Sequence, residues 1–91
     1  MKETTPDFLD GNAAAGALSE IFTFDVTICL GQCASCQRSV RMAETHVYTA
    51  APGLVVRCPG CEEVLLRYVN AGGRMWLDMR GLAYLHVEQP R

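Results

Sequence analysis

The chain has 91 residues, of which 49% are apolar and 20% charged, and its net charge is −2. That length fits one small domain, too apolar for general disorder, and the slightly acidic balance lacks the basic footprint of non-specific nucleic-acid binding. No apolar run approaches the roughly 20 residues a membrane-spanning helix requires. Charge is uneven along the chain: residues 1–30 carry a net −4, whereas residues 31–91, with seven arginines, carry +2.

Residues 1–8 form a polar lead with Pro6 and little periodicity, expected to be mobile. Asp10-Gly11-Asn12 then offers N-caps for an N-terminal helix over residues 9–23. Ala14, Leu18, Ile21 and Phe22 fall on one face with Ala17 beside them, an apolar stripe. A helix this short needs a docking surface, and the sheet of its own chain is favoured over a second protomer or a partner.

Residues 24–91 read as a small antiparallel sheet, so the expected fold is α+β and mainly β. Strands are expected over residues 24–30, 43–50 and 54–57, with Pro52-Gly53 turning the chain between the last two. Residues 63–69 and 74–79 form a hairpin around residues 70–73. Placing Val69 opposite Arg74 sets Tyr68 against Met75, Leu66 against Leu77 and Arg67 against Trp76. One face is then apolar, and a one-residue slip would mix apolar and charged side chains on both faces. The other face gathers Arg67, Arg74, Trp76 and Arg80, a candidate partner surface, or else a Trp stacked under Arg67 or covered by the helix. Gly81 breaks the run before a final strand at residues 82–87.

Two Cys-x-x-Cys pairs, Cys33/Cys36 and Cys58/Cys61, are separated by 21 residues. A tight turn within each pair aims both sulfurs at one ion, and two strands between them return the second pair beside the first. This is the spacing of a four-thiolate zinc ribbon, with Zn–S distances of about 2.3 Å. In Cys58-Pro59-Gly60-Cys61, Pro59 presets φ and Gly60 is expected to accept positive φ, whereas Cys33-Ala34-Ser35-Cys36 has neither aid. Gln37 and Glu62 occupy the position after each pair, where ribbons often carry glycine.

A disulfide framework would need an oxidising compartment, and residues 1–10 do not resemble a secretory leader, so the cytoplasm is expected. A redox Cys-x-x-Cys opens a helix after a strand, and both pairs here are flanked by strand-like sequence. Arg38, Arg41 and Arg57 lie close enough in sequence to offset the net −2 of a zinc–tetrathiolate centre, or serve as ordinary surface arginines. Cys29, the fifth cysteine, reads as a small buried hydrophobe in a strand. His46 and His86 sit in strand-like runs and are not needed as ligands once four cysteines fill the shell.

Four protein ligands leave no open position for water or substrate, so the expected function is non-catalytic: a structural-zinc interaction module whose partner is a protein rather than nucleic acid. A metal-handling role, as a carrier or sensor of zinc or nickel, is the alternative and predicts a second site using His46, His86 or Cys29. A nucleic-acid-binding transcription accessory is a further alternative, and a thiol redox switch the least favoured.

Leu9-Asp10-Gly11-Asn12-Ala13-Ala14-Ala15-Gly16, the two cysteine pairs, the run from Ala51-Pro52-Gly53 to Cys61, and Trp76-Leu77-Asp78-Met79-Arg80-Gly81 together resemble an uncharacterised bacterial family of short zinc-ribbon proteins. That resemblance spans nearly the whole chain and implies the four metal ligands and no established activity. The ribbon is also loosely similar to that of hydrogenase-maturation nickel metallochaperones. Those bind nickel through an N-terminal Met-His start, whereas this chain begins Met1-Lys2 and its first histidine is His46.

Overall fold

The computed structural model describes residues 8–50 and 52–88. Its architecture is mainly β, with two antiparallel sheets and one short helical segment. Five strands order as β1 (Leu9–Asp10), β4 (His46–Ala50), β5 (Gly53–Arg57), β6 (Val64–Ala71) and β7 (Arg74–Asp78). The second sheet orders as β3 (Ser39–Arg41), β2 (Leu30–Cys33) and β8 (Leu82–His86).

The helix is shorter than the sequence suggests. Leu9–Asp10 is a strand paired with His46 and Val47 on β4, and the helix follows as a 3-10 turn, Gly11–Ala14, passing into α1, Ala15–Leu18. Asp10 is the N-cap, its carboxylate accepting from the Asn12 N–H at 3.0 Å. A Cβ on Gly11 would lie 1.7 Å from the Met42 carbonyl oxygen, so this first turn is pressed against backbone and only glycine fits. The expected stripe nevertheless holds: Ala14 and Leu18 are buried, and Ala17, Ile21 and Phe22 pack against the same core. Tyr68 on β6 donates to Glu20 just beyond the helix at 2.9 Å, so the segment docks on its own chain. The expected mobile lead lies outside the described residues except for Phe8, whose ring stacks on His46 with centroids 3.7 Å apart.

Two further corrections concern strand boundaries. Residues 24–30 are not one strand: Asp25 caps a 3-10 turn, Val26–Ile28, and β2 begins only at Leu30. Its carboxylate binds both the Thr27 N–H and hydroxyl, a local bond that competes with strand pairing. Met42–Glu44 is likewise a 3-10 turn, which brings the chain from one sheet to the other.

The β6–β7 hairpin keeps its expected parity and shifts by two residues. Gly72 and Gly73 both have positive φ, 60° and 75°, which makes a two-residue turn with the twist that hairpins favour. Ala71 therefore pairs with Arg74, Val69 with Trp76, Tyr68 with Leu77, and Arg67 with Asp78 rather than with Trp76. Because the shift is even, Tyr68 and Leu77 still face inward and Arg67 and Trp76 still share the outer face.

A bulge governs the core. Val56 pairs with Leu66 but Arg57 pairs with Val64, leaving Leu65 as the extra residue on β6. That irregularity lets two consecutive side chains, Leu65 and Leu66, both be fully buried, which regular alternation would forbid. They pack in one cluster with Val47, Val56, Cys33, Cys58, Leu18 and Val40, joining both sheets and the helix. Leu66→Ala should cost about 2–5 kcal/mol in denaturant unfolding. Trp76→Ala, at a side chain 55% exposed, should cost less than about 1 kcal/mol by the same measurement.

Candidate metal centre

Each cysteine pair forms the turn of a hairpin. The first joins β2 to β3 and the second joins β5 to β6, so one pair comes from each sheet. The two turns are built alike. Cys33 O accepts from the Gln37 N–H at 2.8 Å, and Cys58 O accepts from the Glu62 N–H at 2.9 Å. Outside these, the Cys33 N–H donates to Arg38 O and the Cys58 N–H to Glu63 O, at 3.0 and 2.9 Å.

Positive φ falls on Gln37 and Glu62, both at 66°, and not on Gly60. The expectation that the second turn is better formed is therefore corrected: the reversal happens one residue after each pair, identically in both. Gly60 has another use. A Cβ there would lie 2.9 Å from the Arg38 guanidinium, so the missing side chain admits an arginine from the opposite turn.

The four sulfurs converge. Cys33 and Cys61 Sγ are 3.6 Å apart, Cys36 and Cys58 Sγ are 3.7 Å apart, and all four lie within 4.8 Å of one another. A tetrahedron with 2.3 Å metal–sulfur bonds has edges of about 3.8 Å, so the donor set fits one such ion. Cys33 and Cys58 are fully buried, whereas Cys36 and Cys61 are exposed. Backbone N–H groups point at the buried sulfurs: Cys36 N at 3.5 Å from Cys33 Sγ, and Gly60 N at 3.3 Å from Cys58 Sγ. Such donors favour thiolate over thiol.

The thiols constrain one another. Burial pushes the Cys33 thiol up, but the N–H groups of Cys36 and Ser35 with the Cys61 and Cys36 thiols outweigh it, bringing it to about 7. Cys61 moves oppositely: the Glu63 N–H favours its thiolate, yet loss of water and the sulfurs of Cys33, Cys36 and Cys58 push it to about 11. One negative charge is easily placed among the sulfurs, and each further charge is resisted until a cation arrives.

Of the three arginines near the pairs, two reach the centre's surroundings. Arg38 lies over Gly60, and Arg57 donates through Nη1 to Glu62 O at 2.8 Å while its guanidinium sits over the Tyr48 ring. Arg41 instead lines a cavity of about 310 Å³ with Phe24, Cys29 and His86. Cys29 is buried, as expected of a small hydrophobe, and burial together with Asp25 raises its thiol. Among the described residues, Cys33, Cys36, Cys58 and Cys61 are the single group of side chains placed to share a metal.

The sequence did not reveal a network bracing the second turn. His46 Nδ1 lies 2.5 Å from Glu62 Oε2, and the Tyr48 hydroxyl donates to Glu62 Oε1 at 3.0 Å. His46 and Tyr48 alternate on β4, whose partner β5 leads directly into Cys58, so the strand pairing brings them beside Glu62. The alternation His46-x-Tyr48 was the only available signal.

On the outer face of β6 and β7, Trp76 is exposed at 55%, whereas Met75, although also exposed, turns to the opposite face, where its sulfur lies 3.7 Å from the Tyr68 hydroxyl. Its exposure shows that Trp76 is not covered by the helix, and the residue directly across from Arg67 is Asp78 rather than Trp76. Arg80 chelates Asp78, with Nη2 at 2.7 Å from Oδ2, and these hydrogen bonds hold the Asp78 carboxyl down at about 2.

Across residues 3–90 the chain matches the family of unknown function DUF6510. It belongs to that family. No curated protein and no solved structure matches this DUF6510 chain. Among its described residues, no helix is long and apolar enough to cross a membrane.

The twin turns differ in what their left-handed residue does, and that difference is measurable. Gln37→Gly should raise stability by about 0.5–1 kcal/mol, because it relieves a strained φ at a position whose exposed side chain buries nothing. Glu62→Gly relieves the same strain but removes both carboxylate bonds, and should lower stability by about 1 kcal/mol or more. Thermal unfolding of the two variants beside wild type reads the opposite signs directly.

Proposed function

We propose that this DUF6510 chain is a non-catalytic interaction module built as a zinc ribbon. One zinc ion is held by Cys33, Cys36, Cys58 and Cys61, and the outer face of β6 and β7 receives a protein partner. The observation that carries this reading is the convergence of four sulfurs from two hairpin turns to within 4.8 Å of one another. A thiolate-only set suits zinc, and a shell filled by four protein donors has no position for water or substrate. The ion's contribution is then to folding rather than to chemistry.

Several features favour a protein partner over nucleic acid. The exposed surface combines Trp76 with Arg67, Arg74, Arg80 and the carboxylate of Asp78, an aromatic set among charges. Aromatic and arginine side chains are the residues that dominate protein interfaces. The chain's net charge of −2 gives little attraction for a phosphate backbone. The same reading places the chain in the reducing cytoplasm, where zinc thiolates persist.

A metal-handling role would require a second cluster of donors. Cys29 and His86 both line the 310 Å³ cavity, but His46 is engaged with Glu62 at the second turn, so these residues do not assemble into one site. The structural role is therefore preferred.

Native mass spectrometry of protein purified without chelator should show one zinc per chain. Cys58→Ser should lose the ion and most of the hairpin structure by circular dichroism, because metal-binding energy here is folding energy. Cys29→Ser should keep both. Loss of zinc from the Cys29 variant, or native structure in a metal-free Cys58 variant, would overturn the assignment.

A further inference from the structure

The edge strand β7 carries a pattern complementary to itself. β7 ends the five-strand order, and among the described residues no strand pairs with its outer side. Hydrogen-bond direction along it follows from the turn. A two-residue hairpin turn is flanked by a hydrogen-bonded pair, here Ala71 and Arg74, and such pairs then alternate along the ladder. The backbone groups of Arg74, Trp76 and Asp78 therefore point to β6, and those of Met75 and Leu77 point outward. Asn70, which opposes Met75, fits this assignment: its N–H turns away from β7 and donates to Pro52 O at 3.1 Å.

An antiparallel copy of β7 can pair along this edge in three registers that join Met75 or Leu77 groups. An axis at Met75 sets Trp76 against Arg74 and leaves Asp78 opposite Gly72. An axis at Leu77 sets Arg74 against Arg80 of the partner subunit, a repulsive pair. An axis at Trp76 alone places Arg74 opposite Asp78 of the partner subunit, twice by symmetry. It also sets Met75 and Leu77 in hydrogen-bonded pairs and puts the two Trp76 rings together at the closely spaced, non-hydrogen-bonded site on the axis.

We propose that β7 is the contact strand of a two-fold homodimer in which Arg74 of each chain pairs with Asp78 of the partner subunit across a continuous ten-stranded sheet. Charge complementarity selects a second copy as the occupant, since the same short strand supplies both signs in mirror positions around an exposed aromatic. Asp78, whose carboxylate is also bound by Arg80 of its own chain, is then flanked by Arg67 of its own β6 on one side and by Arg74 of the partner subunit on the other. Gly72 and Gly73, with open space around them, let the hairpin end pass the neighbouring strand. The dimer rests on the protein-partner reading given above and names the partner; it does not depend on the metal assignment.

The interface is one short strand pair, so its dissociation constant should be on the order of 10–100 µM. The test is sedimentation equilibrium of the zinc-loaded full chain across that range, with Arg74→Glu, Asp78→Arg, and an equimolar mixture of the two. Wild type should reach dimer mass, and each single variant should associate at least about tenfold more weakly because like charges meet twice. The mixture should regain wild-type association, since both cross-strand pairs are again opposite in charge. In parallel, amide exchange at Met75 and Leu77 should slow as concentration rises, while Arg74, Trp76 and Asp78 stay protected throughout. Zinc content is measured in every sample, so loss of metal would indict the ribbon and not the dimer. A monomeric wild type at high concentration, single variants that associate like wild type, or a mixture that stays monomeric with zinc retained would each overturn the proposal. A monomer that instead captures an extended foreign peptide on β7 would assign the edge to a different partner.

Discussion

Two hairpin turns, one from each sheet, place four sulfurs within 4.8 Å of one another, and the other elements are arranged around that meeting. Without a cation it is an unfavourable place for charge: the sulfurs compete for one negative charge, which pulls Cys33 down and pushes Cys61 up. With a divalent ion the same crowding becomes the strongest tie in the molecule. A 91-residue chain has a small core, and a metal joining its two sheets would add to what burial alone supplies.

The scaffold serves this tie from both sides. Cys33 and Cys58 are fully buried and share the hydrophobic cluster with Leu65, Leu66 and Val56, so the metal centre and the core are continuous. The bulge at Leu65 bends β6 just past the second turn, and Glu62 is pinned there by His46 and Tyr48. Arg38 crosses from the first turn onto Gly60 of the second. These contacts fix the separation of the turns, whereas the outer face around Trp76 takes no part in them. One side of the β6–β7 hairpin therefore supports the centre, and the other leaves Trp76 exposed.

What could be read from the residues follows the range of the interactions involved. The cysteine pairs were legible because Cys-x-x-Cys geometry is local and the spacing between pairs needs only a reversal of strands. Side-chain parity on β6 and β7 was legible because an alternating pattern tolerates even shifts but not odd ones. The register itself was not, since it depends on Gly72 and Gly73 both adopting positive φ and tightening a four-residue loop to two. Helix length failed for a similar reason. The apolar stripe through Phe22 is real, but the regular helix stops at Leu18, and residues 19–22 continue only as turns. The Glu62 network was out of reach because it joins residues 14 and 16 positions apart across two strands.

The central claim is that a single ion is held by four sulfurs and nothing else. X-ray absorption at the zinc edge, on protein isolated without chelator, addresses it most directly. The account predicts a first shell of four sulfur atoms at about 2.3 Å and no nitrogen or oxygen scatterer. A shell containing nitrogen or oxygen, or a folded protein with no zinc signal at all, would contradict it.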